Sequence, residues 1–399
     1  MTGGLASMFK VFWVSALCLL ACGDVYAMRC TQASYKELAE GNYFSAYMAL
    51  HRQASASNEK NGFAVQMKCQ AGAFISVLEP DCVEVDSPFD WDGIEYVDAV
   101  SEIVKKARDK RLVILNEAHD LPLHRAFAYQ LAMALRNEGY EYLALEALSN
   151  SGKHTPEESS AGGVFLRNRG YYTAEPVFAD FVRRAEEAGY KTFAYEQLRE
   201  QDISGTIDER EEAQALNLSK IIESLPEDAK MMVYVGYSHA AKMPLKRSSG
   251  GETRWMAARL WEKTGIEPLS IDQASMGSGR FPVVDGIAGS FVLKKDGKPH
   301  VFGPYDGAVD FQVLHSYQSR EQWLEMLMAR WPFKIPEALL PATGKWNVQA
   351  FIEGEQANGV PLDQVVVDSS GGLLMLDKRR KYTFRLEQES NLARLCSID

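Results

Sequence analysis

Basic residues are in deficit. The 399-residue chain sets 43 Lys and Arg against 54 Asp and Glu, a formal net charge of −11. No basic stripe exists to release counterions from a phosphate backbone, so nucleic acid is excluded as the partner. The densest cationic run, Arg379 and Arg380 between Lys378 and Lys381, reads as a solvated strand end. Cysteine is sparse, six in all, with no CxxC pair and no other metal-type spacing. A nucleophile elbow and a glycine-rich phosphate loop are also missing. The apolar run Val11 to Ala21 is too short for a comfortable membrane span, so the mature chain is expected to carry none.

That run follows Lys10 and precedes Val25-Tyr26-Ala27, the pattern of an export signal over residues 1–27 cleaved before Met28. Met8 offers an alternative start. Leu19-Leu20-Ala21-Cys22 suggests a rival lipid anchor through Cys22, ranked below simple export because Leu fits the middle of such a box poorly. A periplasmic or secreted chain is expected. Cleavage leaves Cys30, Cys69, Cys82 and Cys396, compatible with two disulfides among three connectivities or with buried free thiols.

Length and a 46% hydrophobic content predict two or three units. Residues 28–84 read as a helical hairpin, tetratricopeptide-like at Glu37 to Ala46 and broken at Gly41-Asn42. Residues 85–280 then alternate strand and helix, the pattern of a mostly parallel α/β sheet with helices on both faces. Its strands are placed at Leu112 to Leu115, Tyr142 to Leu145, Thr192 to Tyr195, Met231 to Val235 and Leu269 to Ile271. A polar loop from Ser149 to Gly163 is longer than ordinary connections, as a lid or a disordered segment would be. Residues 281–399 turn to short alternating runs, a small antiparallel β unit with one helix, Arg320 to Arg330.

Five strand ends thus deliver Glu117 with His119, Glu146, Glu196, His239 and Asp272 to one edge of one sheet. Ligands bind at that edge in open α/β folds. Mutual repulsion among so many carboxylates demands a compensating metal, proton or cationic substrate. Two chemistries fit. In one, His119, His239 and Glu146 hold a divalent ion whose water attacks a carbonyl, and Glu117 or Glu196 takes the proton. In the other, His119 itself is the general base, held by a carboxylate. Arg210 and Glu211, opening a helix, are candidates for a substrate anion, or form a solvated helix face. His124 is placed to reach the site or to cap its helix, and Tyr172 with Tyr171 to close over a ligand or to pack beneath the lid.

Asn116-Glu117-Ala118-His119 and Gly236-Tyr237-Ser238-His239 resemble the paired Gly-x-x-His motifs of the superfamily of erythromycin esterases, Tiki and TraB-type proteins and ChaN-like haem-uptake lipoproteins. The Tyr142 to Glu146 strand resembles its glutamate-bearing strand. Arg210-Glu211, Gln214-Ala215 and Asn217 are similar to the Arg-Asp then Met-Ala-x-Asn helix of the esterases. The resemblance covers about residues 105 to 275. It implies His119 as general base or first metal ligand, Glu117 as its motif partner, Glu146 as central acid and His239 as second histidine. Asn116 stands where the first motif usually has glycine. The expected activity is an exported hydrolase acting on an ester or amide in a small molecule or peptide. The superfamily also contains haem binders, so the alternative is a haem- or metal-binding uptake protein using His239 and the tyrosines Tyr171 and Tyr172.

Overall fold

The computed structural model describes residues 24–56, 62–77, 82, 89–157, 164–246, 250–276, 286–355 and 358–391. Most of the expected export signal, with Cys22, and the C-terminal Cys396 lie outside them. Among the described residues no helix is long and apolar enough to cross a membrane.

The expected N-terminal hairpin is formed by α1 (Asp24–Glu40) and α2 (Tyr43–Ala56), and a third helix, α3 (Phe63–Phe74), adds to it. Gly41, at φ +83°, makes the turn between the first two, a backbone state that costs other residues strain. Leu38, Tyr43, Phe44, Tyr47, Leu50, Met67 and Phe74 bury themselves in one cluster, so the third helix completes a core that two would leave open. Cys69 of α3 is bonded to Cys82. Cys30 is a buried free thiol.

The α/β region runs β1 (Ile94–Asp98), α4 (Ala99–Ala107), β2 (Leu112–Glu117), α5 (Pro122–Arg136), β3 (Tyr140–Leu145), α6 (Pro176–Glu187), β4 (Lys191–Ala194), α7 (Ile207–Glu223) and β5 (Lys230–Gly236). A two-stranded ribbon of β6 (Leu245–Lys246) and β7 (Glu252–Thr253) precedes α8 (Met256–Thr264) and β8 (Leu269–Asp272). Then come β9 (Gly289–Lys295), β10 (Lys298–Pro299), β11 (Phe311–Ser316) and α9 (Arg320–Met328). The main sheet has the order β1-β9-β11-β8-β2-β5-β3-β4, with β10 hairpinned on β9. Every pairing from β11 to β4 is parallel, and β9 is antiparallel to both its neighbours in that order.

The strands bury both faces. Val113, Leu115, Leu143, Leu145, Met232 and Tyr234 pack with α5 and α6 on one side. Leu112, Ile114, Tyr142, Ala144, Met231 and Val233 pack with α7 and α8 on the other. Alternation along each strand therefore sorts side chains between two cores, as near-continuous apolar runs require.

The sheet extends past residue 280. Sequence alternation assigns β9 and β11 to the C-terminal region, yet both add to the main sheet beside β8, where Val292, Phe311 and Val313 join its core. The separate antiparallel unit is what remains: β12 (Trp331–Lys334) paired with β15 (Leu373–Leu376), and β13 (Trp346–Ile352) between β14 (Asp363–Val367) and β16 (Tyr382–Glu387). It packs on the N-terminal helices through polar groups. The Glu387 carboxylate accepts the N–H groups of Phe44 and Ser45 at 3.1 and 2.9 Å, capping α2 from the far end of the chain.

Candidate active site

Parallel register decides which strand ends meet. Glu117 at the end of β2 pairs with Gly236 at the end of β5. On the other side of β5, Leu145 pairs with Tyr234, which brings Glu146 alongside the same strand end. The expected convergence of acids and histidines thus centres on Gly236.

The first half of the cluster is built on Glu117, 2% exposed. One oxygen accepts His119 Nδ1 at 2.8 Å; the other accepts the Tyr234 hydroxyl at 2.9 Å. Arg125 grips both, through Nε at 2.8 Å and Nη2 at 3.1 Å. Burial alone would raise the Glu117 carboxyl, but the Arg125 guanidinium and the His119 hydrogen bond bring it down to about 2. It is therefore an ionised acceptor, so Nδ1 of His119 carries a proton and donates it to Glu117. Arg125 also donates to Glu175 at 3.1 Å and to the His119 carbonyl at 2.8 Å. The ring of Tyr172 lies flat on His119, centroids 4.0 Å apart at 15°, and that of Tyr237 stands edge-on to it at 5.0 Å.

The second half is built on Arg210, whose side chain is 38% exposed. It meets Glu146 and Glu196 through Nη2, each at 2.5 Å, and Nη1 faces His239 Nε2 at 3.2 Å. His239 Nδ1 donates to Glu211 at 2.9 Å, and its Nε2 lies 3.4 Å from Glu146. Burial works against the protonated His239 ring, but Glu146 and Glu211 outweigh it and raise the group above its ordinary value. Burial likewise pushes the Glu146 carboxyl up, yet His239, Arg210, His119 and the Gly236 N–H hold it at about 2.

Gly236 joins the halves. A Cβ there would sit 2.7 Å from His119 Nε2 and 3.3 Å from a Glu146 oxygen, so only glycine lets the free edge of His119 and the carboxylate approach this backbone. The next residue, Tyr237, turns with φ +38°, a strained state of the kind held at functional sites. Asn116, in place of a first-motif glycine, is completely buried and ties three strand ends together. Its amide donates to the Tyr237 carbonyl at 2.8 Å and to Asp272 at 2.7 Å, and its oxygen accepts the Gln273 N–H at 2.7 Å.

Several expected residues have other duties. Glu211 is fully buried between His239 and the N–H of Met256 at the start of α8, so it positions the imidazole instead of meeting a substrate. His124, also fully buried, accepts the Ala118 N–H at 3.0 Å beneath the strand-to-helix turn, and desolvation lowers it to about 3. Asp272 is taken up by Asn116, Gln312, Ser275 and the following loop. Arg125, Tyr234 and Glu175 escape a reading based on strand ends. The available signal is Arg125 itself, a cation in the first turn of α5 where the helix dipole disfavours it unless a carboxylate stands close.

A divalent ion on His119, His239 and Glu146 does not fit this geometry. Both Glu146 oxygens are engaged, by Arg210 and by the Gly236 N–H, and Arg210 supplies the positive charge among the carboxylates. Among the described residues no group of three or more His, Cys, Asp or Glu is arranged to hold a metal. Nor do the expected haem ligands converge: Tyr171 packs against Tyr35 and Phe74, Tyr172 covers His119, and the His239 ring lies between Glu211 and Glu146.

No protein-family model and no curated protein sequence matches the chain. Among solved structures it is similar to a crystal structure of bacterial protein toxins, at 15% identity over 50% of this chain and 39% of that one, TM-score 0.34. A second structure of bacterial protein toxins gives 16% identity, 41% and 35% coverage, and a TM-score of 0.32. RRSP, a MARTX toxin effector domain from Vibrio vulnificus CMCP6, gives 16%, 50% and 38%, and 0.33. The chain spans less than two fifths of the length of each of these.

Proposed function

We propose that the protein is a hydrolase of the erythromycin esterase and Tiki-like type, in which His119 activates water for attack on an ester or amide carbonyl. The observation that carries this reading is the Glu117–His119 pair. An ionised, Arg125-bound carboxylate fixes the protonated Nδ1, and the opposite ring edge, Nε2, faces Gly236 and Glu146. His119 takes a proton from water as the oxygen bonds to the carbonyl carbon. Arg210, the more exposed cation of the cluster, stabilises the oxyanion that develops. His239, its proton retained by Glu146 and Glu211, supplies the acid for the departing group. Two histidines thus divide base and acid work between them.

The leader-like N-terminus, with the Cys69–Cys82 bond, supports a periplasmic or secreted location. The activity is tested by screening purified chain against aryl esters and peptides. His119→Ala and Glu146→Gln are expected to lose on the order of a hundredfold or more in kcat/KM while remaining folded. Full activity in either variant would refute the assignment.

A further inference from the structure

The cationic run at 378–381 lies on the turn between β15 and β16, which hydrogen bonds to Asp377 close. Asp377, fully buried, accepts the Arg379 N–H at 3.0 Å and its Nε at 2.9 Å, and its carbonyl accepts the Arg380 N–H at 3.1 Å. Lys378 turns away, its ammonium 4.8 Å from the centre of the Trp331 ring. The other three residues line a cleft of about 710 Å³ between this turn, α5 and the end of α6. That volume lies in the range of small-molecule sites. No residue of the His119–Arg210 cluster lines it.

Its charge runs against that of the whole chain. Arg379, Arg380 and Lys381 line it against the two carboxylates Glu187 and Glu353, while Arg184 beneath them is bound to Asp180, Asp377 and the Met328 carbonyl. Arg379 engages Asp377 through Nε and Nη2, and Arg380 engages Glu187 through Nη2 at 3.0 Å. These pairs fix the guanidinium planes and leave Nη1 of Arg379, Nε and Nη1 of Arg380 and the Lys381 ammonium without a partner among the described residues. Tyr129, Met133 and Ile352 form the opposite, less polar wall.

We propose that this cleft binds a small organic phosphate, its dianion on the Arg379 to Lys381 turn and its apolar part against Tyr129, Met133 and Ile352. Donors from three consecutive residues match the three terminal oxygens of a phosphate monoester better than the two of a carboxylate. Glu187 and Glu353 at the margin disfavour a long polyanion, which restricts the ligand to a single charged end.

Calorimetric titration of the full chain with phenyl phosphate, and separately with inorganic phosphate, tests this. Saturable binding is expected, tighter by about tenfold for phenyl phosphate because only it fills the apolar wall. Arg380→Gln/Lys381→Gln, on the exposed turn, should weaken both probes by about tenfold or more. Lys105→Gln/Lys106→Gln, which removes the same charge from the exposed face of α4, should change neither. Met133→Trp, which narrows the apolar end, should weaken phenyl phosphate and spare inorganic phosphate. An absence of saturable heat, equal affinity for the two probes, or an equal loss in the α4 variant would overturn the proposal.

Discussion

His119 and His239 each donate one ring N–H to a carboxylate, in different surroundings. Nδ1 of His119 meets Glu117, which Arg125 also binds. His239 lies between Glu211 and Glu146 and keeps its proton more strongly than a free imidazole. Histidine NMR titration is expected to place His239 above its ordinary midpoint of 6.5, and Glu211→Gln should bring it down. An unchanged midpoint in that variant would remove Glu211 from its positioning role. The two depressed carboxyls give a second pH signature. Glu117 and Glu146 ionise at about 2 in the folded chain, against 4.5 when unperturbed, so the native state binds fewer protons than the unfolded chain in that window. Their stabilisation is complete above pH 4.5 and lost as pH falls toward 2, which urea midpoints measured across that range should show. The histidines and Glu146 are legible in sequence because each ends an apolar strand. Arg125 and Tyr234 are not, because one lies inside a helix and the other inside a strand, and only the three-dimensional approach to Glu117 reveals their use.

At the scale of elements, the buried strands are legible because their apolar runs end abruptly in polar residues. Which sheet a strand joins is less so. β9 and β11 look from their alternation like members of the C-terminal unit; their partners are set by long-range burial that no local period encodes. The third N-terminal helix is similar, since its role is to close the core around Tyr43 and Tyr47. That helix also leads to the site. Phe74 contacts Tyr171, Tyr171 contacts Tyr172, and Tyr172 covers His119, with ring centroids 5.6, 5.1 and 4.0 Å apart. Cys69–Cys82 anchors α3 across a separation of 13 residues. Reduction, or Cys69→Ser with Cys82→Ser, is expected to cost about 2–4 kcal/mol in denaturant unfolding. A loss near zero would mean that packing alone holds the helix.

For the whole molecule, the N-terminal helices and the C-terminal β unit are fastened to each other. Gln349 donates to the Gly41 carbonyl at 3.0 Å and Gln364 to the Phe74 carbonyl at 2.8 Å, alongside the Glu387 cap on α2. Deleting residues 382–391 should therefore loosen helices more than 300 positions away, seen as faster amide exchange in α2 than in α5. Equal protection of both would separate the C-terminal strand from the N-terminal fold. The Glu387 cap also bears on the order of folding. The Phe44 and Ser45 N–H groups at the start of α2 find their partner more than 300 positions further along the chain. Closure of the N-terminal helices therefore waits on placement of β16, a contact of such long range that it belongs to the slow, late part of folding.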